Sequence, residues 1–378
     1  MQITAPHFDE DEIASLRQCL QSGWVTQGPL TEKFEGMIAA RHAARHAIAT
    51  TSCTAGLHLA LLALGVGPGD EVVVPALTWT TTAHAAEYVG ARAVFADIRL
   101  DTFNIDPEAL AAAITPRTKA VIAVHLFGLA ADMEPILSIA RRHGIAVVED
   151  AACAIGTTWH GRPVGTLGAL AAFSFHPRKV ITTGEGGMVT TNDDTLAAAV
   201  RVLRNHGATG VPPATPEEPH GSWTMTEFDR LGFNLRFSDI QAAVGVAQMS
   251  KLDTLLAERR RRAEGYDRRL AGGVAGLVLP PSPSAETGHT YQSYVVRVGD
   301  GNRKRRNGLM AALSAEGIQT RPGTHAVHRL GYYRDKYGLK PDQYPLAAQA
   351  EDTTITLPIF PGMTDADQDR VVAVLART

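Results

Sequence analysis

Ala120-Val-Ile-Ala-Val-His-Leu126 and, one helical interval later, Ala146-Val-Val-Glu-Asp150 decide the fold. Each is apolar at nearly every position, the pattern of a strand covered on both faces by helices. Working outward, the same unit recurs from about residue 46 to 205: a short β-branched or apolar run, a Gly/Pro/Asp punctuation, then an alanine- and leucine-rich helical stretch. The remaining runs lie at 46–50, 71–75, 93–98, 171–175 and 187–191. Between the first two, 54–64 carries Leu57, Leu61 and Leu64 on one helical face and stops at Gly65-Val-Gly-Pro-Gly69. The expectation is an α/β fold: a mainly parallel sheet of seven strands with helices on both faces and a binding crevice at the strand C-termini.

Beyond residue 205 the composition changes. Val211-Pro-Pro-Ala-Thr-Pro-Glu-Glu-Pro219 suits neither a helix nor a central strand and reads as an excursion loop. A long helix is expected from Ser238, its N-cap, to about Arg262, then a strand over 291–298 and a helix over 302–316. This divides the chain into a large α/β domain, 10–250, and a smaller C-terminal α+β domain, 251–378, with residues 1–9 packing against the latter.

The chain has 378 residues, 45% of them hydrophobic, enough for a large core. A net charge of -3 gives no general attraction to nucleic acid or to an anionic membrane, so neither is expected as a partner. No run of eighteen apolar residues suggests a membrane span, and the acidic start does not resemble a secretory signal. Three widely spaced cysteines, Cys19, Cys53 and Cys153, suit a reducing compartment and argue against a disulfide framework or a zinc site. A cytoplasmic protein without a bound metal is expected.

Chemistry concentrates at predicted strand ends. Asp150 closes one strand, where its carboxylate either caps the next helix or faces the crevice. Lys179 follows the next strand in Phe173-Ser-Phe-His-Pro-Arg-Lys179, ahead of a glycine-rich loop, Thr182-Thr-Gly-Glu-Gly-Gly187. Most lysines in turns are merely solvated. Thr51-Ser-Cys-Thr-Ala-Gly56 joins a strand to a helix, where Ser52, Cys53 and Thr54 either cap the helix or cradle a phosphate. Ser174 is a further donor for that anion. Trp79 follows a strand and serves either as core or as a flat surface for a ring. Taken together, an amine, an acid, an anion cradle and a flat neighbour are what pyridoxal 5'-phosphate requires.

Several motifs in one order resemble the DegT/DnrJ/EryC1/StrS family of fold-type I aminotransferases, which mostly aminate nucleotide-linked keto sugars. The segments are Leu64-Gly-Val-Gly-Pro-Gly-Asp-Glu-Val72, Thr115-Pro-Arg-Thr-Lys-Ala120, Val124-His-Leu-Phe-Gly128, Val148-Glu-Asp-Ala-Ala152, Phe173 to Lys179, Gly184-Glu-Gly-Gly187, Arg204-Asn-His-Gly207, Gly232-Phe-Asn-Leu-Arg236 and Asp239-Ile-Gln-Ala-Ala243. The resemblance implies that Lys179 is the Schiff-base lysine, Asp150 the partner of the pyridine nitrogen, and Trp79 the stacking ring. It makes Ser52, Thr54 and Ser174 phosphate ligands, and sets Asn234 across a homodimer interface with shared active sites. Arg236, His325 and His328 fall in regions that reach substrate in the family. Cys153 stands where the family usually has glutamine, and Cys53 where it often has glycine.

The function implied is transfer of an amino group from an amino acid, glutamate first, to a keto sugar, with pyridoxamine 5'-phosphate as the intermediate cofactor form. A nucleotide-linked 4-keto-6-deoxy sugar is the first acceptor considered, ahead of a 3-keto sugar and a keto-cyclitol. A sugar dehydratase of the same fold is disfavoured because family dehydratases replace the lysine, and a non-catalytic PLP-binding regulator because Asp150 and Lys179 are both present. Two arginine runs complete the expectations. Arg259 to Arg262 reads as a solvated helix end, whereas Arg303 to Arg306 reads as an exposed run or a site for a nucleotide diphosphate.

Overall fold

The computed structural model describes the chain apart from residues 212–223, 272–273, 275, 283–286 and 378. The expected excursion loop falls almost wholly outside the described residues. All seven apolar runs join one sheet: β1 (His46–Thr50), β2 (Glu71–Pro75), β3 (Arg92–Ala96), β4 (Thr118–Val124), β5 (Ala146–Asp150), β6 (Leu170–Ser174) and β7 (Gly187–Thr191). Across the sheet they run β1-β7-β6-β5-β4-β2-β3. The pairs from β6 to β3 are all parallel, and β7 is antiparallel to both β6 and β1. The mainly parallel seven-stranded sheet is therefore as expected.

The pleat sends alternate side chains to opposite faces. Val72, Val74, Ile122 and Val148 meet Leu57 and Leu61 of the helix Cys53–Ala63 in one core. Val73, Val121, Ala123 and Val147 point the other way, onto Phe34 and Ile38 of Pro29–His42 and Ile136 of Met133–His143. Both faces are dry, which is why these strands carry no polar alternation. Each buried Val or Leu contributes about 1.5–3 kcal/mol relative to exposure.

A third core lies in the C-terminal part. The strands Leu277–Val278, Tyr294–Val298 and Thr354–Leu357 pair antiparallel, and Tyr294, Val296, Ile355 and Leu357 pack with Leu309 and Leu313 of the helix Arg303–Ala315. The N-terminal residues run here too: the amides of Gln319 and Ile359 donate to the carbonyls of Met1 and Ile3.

Three local expectations are corrected. The long helix is two helices, Asp239–Ser250 and Leu252–Leu270, separated at Lys251, whose backbone sits at φ -109, ψ 7. The Lys251 ammonium lies 2.8 Å from both Asp9 and Glu12, an attachment to the N-terminal helix that helical periodicity does not reveal. The strand expected from residue 291 starts at Tyr294, because Tyr291 has a positive φ of 47°. The run Arg259 to Arg262 is no solvated helix end. Arg259 is 1% exposed and donates to the carbonyls of Tyr291 and Gln292, while Arg262 pairs with Asp365 at 2.8 Å. Burial pushes the Arg259 guanidinium down to about 10.

Candidate active site

A cavity of about 800 Å³ opens at the C-terminal ends of β4, β5 and β6, where Val124, Asp150 and Ser174 all reach it. The register places Asp150 between Val124 on β4 and Ala172 on β6. Asp150 is only 6% exposed. One oxygen accepts from the Thr82 hydroxyl at 2.7 Å and the other from the Ala152 amide at 3.1 Å. Thr82 is itself within 2.9 Å of the Thr78 hydroxyl, which completes a short relay behind the acid. Among the described residues no cation pairs with Asp150. A buried carboxylate without a counter-charge is costly, and the site is therefore receptive to a cationic group.

Lys179 lines the same cavity. A turn closed by its amide on the His176 carbonyl, at 2.8 Å, lifts it off the end of β6. Its ammonium donates to the Cys153 sulfur at 3.2 Å. Asp150 and Lys179 thus come from neighbouring strands, as their order in the sequence implies.

The helix Cys53–Ala63 points its N-terminus at the cavity, capped by Ser52, whose Oγ accepts from the Ala55 amide at 3.1 Å. The first amides of a helix have no acceptor within it, and that end carries partial positive charge. Gly187 passes close behind: a Cβ there would fall 2.4 Å from the Ser52 carbonyl oxygen, so glycine is required for the turn to sit against the sheet. The Thr54 hydroxyl lies 3.5 Å from that of Thr81, and Ser174 Oγ accepts from the His176 amide at 3.4 Å. Cys53 Sγ lies 3.5 Å from the Ala172 carbonyl oxygen. Burial, then the Asp150 carboxylate, pushes its thiol well up.

Trp79 is 56% exposed and lines the cavity beside His325, with ring centroids 5.5 Å apart. The short strands Leu77–Thr78 and His325–Ala326 pair antiparallel and so bring the two rings together. Other sequence candidates lie elsewhere. His328 is fully buried, bonded to the Pro341 carbonyl and set edge-on to Tyr344. Arg236 donates to Asn205 at 2.8 Å, and exposed Asn234 pairs by its backbone with Asn205; neither lines this chain's cavity.

Reasoning from sequence did not single out Thr82, Gln292 or Arg321. Thr82 stands in the run Thr80-Thr-Thr82 after Trp79, a signal for a helix start but not for an acid partner. Arg321 lines the cavity, and its guanidinium has no hydrogen bond or ion pair among the described residues. Burial, then Arg178, pushes it down. Gln292 also lines the cavity, and its Oε1 is buried without a hydrogen-bond partner among the described residues. Of the second arginine run, Arg303 and Arg306 reach the cavity wall.

These residues fit pyridoxal phosphate. The uncompensated Asp150 suits a protonated ring nitrogen, the helix N-terminus suits a phosphate, and Lys179 supplies the amine.

The chain matches the model of the DegT/DnrJ/EryC1/StrS aminotransferase family over residues 6–376. It belongs to that family. Within the family's reach, the GDP-perosamine synthase of Caulobacter vibrioides is 41% identical over 374 residues, 99% of this chain and 96% of that protein. The spore coat polysaccharide biosynthesis protein SpsC of Bacillus subtilis is 40% identical, covering 97% of this chain and 94% of its own. Among solved structures, the putative sugar aminotransferase Spr1654 of Streptococcus pneumoniae in its PMP form superposes with a TM-score of 0.93 at 29% identity, covering 100% of this chain and 98% of that one. A PLP form of the same protein also matches. The family resemblance read from the motifs, the fold, the aminotransferase class and pyridoxal phosphate as cofactor are thus borne out. Among the described residues no helix is long and apolar enough to cross a membrane, and no group of three metal-ligating side chains occurs.

Proposed function

We propose that this sugar aminotransferase takes an amino group from an amino acid, glutamate first, and delivers it to a nucleotide-linked 4-keto-6-deoxy sugar. The observation that carries the reading is a buried, uncompensated carboxylate, Asp150, sharing one cavity with the amine of Lys179. Bound pyridoxal phosphate supplies an electron sink for the substrate carbon that bears the nitrogen. Asp150 keeps the ring nitrogen protonated, with Thr82 fixing the orientation of the carboxylate. Lys179 holds the cofactor and, when displaced, moves the proton at that substrate carbon. Ser52, Thr54 and Ser174 bind the phosphate, with Cys53 at the same turn and Trp79 over the ring.

The nucleotide-linked acceptor is supported by two facts. The Caulobacter relative is named for a GDP-linked product, and Arg303, Arg306 and Arg321 give the cavity cationic groups suited to a diphosphate or carboxylate. His325, beside Trp79, contacts the sugar. Asn234, exposed and off its own cavity, serves the partner's phosphate in a homodimer. Residues 10–250 form the cofactor-binding domain and 251–378 the smaller one, in a cytoplasmic enzyme. The test is an assay of the purified protein with glutamate against 4-keto sugars, 3-keto sugars and keto-cyclitols, with mass detection of products. Amination of the 4-keto nucleotide sugar is expected. Amination of only a cyclitol or a 3-keto sugar would replace the substrate.

A further inference from the structure

The contact between Lys179 and Cys153 has a chemical consequence that a glutamine at position 153 would not have. The lysine nitrogen and the cysteine sulfur are 3.2 Å apart, and both face an open cavity that a small oxidant can enter. The other two cysteines differ. Cys19 is buried, with its sulfur on the Trp24 carbonyl, and burial followed by Asp239 pushes its thiol up. Cys53 is held protonated by burial and by Asp150. Among the three cysteines only Cys153 has a lysine nitrogen as its hydrogen-bond neighbour, and its sulfur lines the cavity through which a peroxide would reach it.

We infer that Cys153 and Lys179 are a redox lock: a peroxide converts them to a nitrogen–sulfur cross-link that removes the lysine from catalysis. In the first step the Cys153 sulfur attacks the peroxide, the O–O bond breaks, and a sulfenic acid and one water form. The sulfur loses two electrons and the peroxide gains them. In the second step the neutral Lys179 amine, having given its extra proton to solvent, attacks that sulfur. The N–S bond forms, the S–O bond breaks, and the hydroxyl leaves as water with a proton from the amine. The second step is a condensation with no further oxidation. A dithiol reverses it: one thiol attacks the sulfur and returns the amine, and the second resolves the mixed disulfide. While Lys179 holds the cofactor its nitrogen is engaged and the lock is closed to peroxide. When the cofactor is absent or in its pyridoxamine form the amine stands beside the thiol.

The consequence for activity rests on the proposed role of Lys179, but the cross-link itself does not. The test treats the full-length protein with hydrogen peroxide in three states: as the pyridoxal phosphate holoenzyme, after glutamate, and with cofactor dialysed away. Peptide mass mapping reads the outcome. In the cofactor-free protein a linked pair of peptides containing Cys153 and Lys179 is expected, lighter by two hydrogens than the separate peptides and released by dithiothreitol. The holoenzyme should give little of it, and Cys153→Ser none. With glutamate, turnover should fall in proportion to the linked fraction and return with dithiothreitol. A cofactor-free protein in which Cys153 ends as a sulfinate, or as a disulfide with Cys53, while Lys179 stays unmodified would overturn the inference. If no visible cofactor band forms at all, the proposed function fails while the mass map still decides the cross-link.

Discussion

Glu149 and Asp150 are neighbours on β5, two buried carboxylates that the pleat turns to opposite faces of the sheet. Glu149 is fully satisfied. It accepts from the amides of Gly165, Leu167 and Gly168 at 2.8 Å each and from His125 at 2.9 Å. His125 Nδ1 accepts from the Ala131 amide, so the proton assigned by this network sits on Nε2 and is donated to Glu149. Burial alone would raise the Glu149 carboxyl, but His125 and the amides outweigh it and hold it below the ordinary range. Asp150 has a hydroxyl, one amide and the Cys53 thiol at 4.0 Å, and an open cavity where Glu149 has an imidazole and a loop. A buried charge whose partners are all internal holds a fold together. One whose partners are incomplete waits for a ligand.

That contrast breaks or sharpens with substitution. The largest effect is expected at the ligand side: Lys179→Ala should cut amino transfer by at least ~10²–10⁴-fold, the span of a lost proton-transfer group, while leaving the melting temperature almost unchanged. On the structural side Glu149→Ala should cost about 3–5 kcal/mol in urea unfolding, because it strips a buried network of its acceptor. The depressed Glu149 carboxyl sets a pH window. Its stabilisation is fully present above the unfolded carboxylate value of about 4.3 and is lost as pH falls through the lower folded value. Glu149→Gln should therefore flatten the acid limb of stability measured from about pH 3 to about pH 7.

Asp150→Asn should do the reverse of Glu149→Ala. It removes an uncompensated charge, so the cofactor-free protein should melt no lower than the parent, while kcat falls by roughly 10–150-fold, the worth of a charged hydrogen bond. Equal destabilisation by both substitutions would mean that the two carboxylates serve the fold alike. The smallest effect belongs to Thr82→Val, which deletes one hydrogen bond behind the acid. A kcat loss of about 2–12-fold is expected, with KM for the keto sugar little changed.

The sheet was legible because burial on both faces leaves apolar runs that need no knowledge of neighbours. Its strand limits moved by only one or two residues, as at 93–98 against Arg92–Ala96. Asp150 was half legible: a carboxylate closing such a strand must cap or face the crevice, and composition left the two even. Lys179 needed the family motifs, since a lysine in a turn has no periodicity to betray it. What stayed hidden depends on contacts far apart in sequence. Arg259 is buried by carbonyls at 291 and 292, His328 by Pro341 and Tyr344, and Thr82 meets an acid 68 residues away. The 3.2 Å approach of Lys179 to Cys153 spans 26 residues and was likewise invisible, although Cys153 had already stood out as an unusual residue at its position.

The central claim is that Lys179, facing Asp150 across one cavity, is the residue that holds the cofactor. Borohydride reduction of the loaded protein fixes that bond permanently, and peptide mass mapping then reads where it was. The account predicts a pyridoxyl group on Lys179, in the peptide that contains Phe173-Ser-Phe-His-Pro-Arg-Lys179. A pyridoxyl group on any other lysine, with Lys179 unmodified, would contradict it.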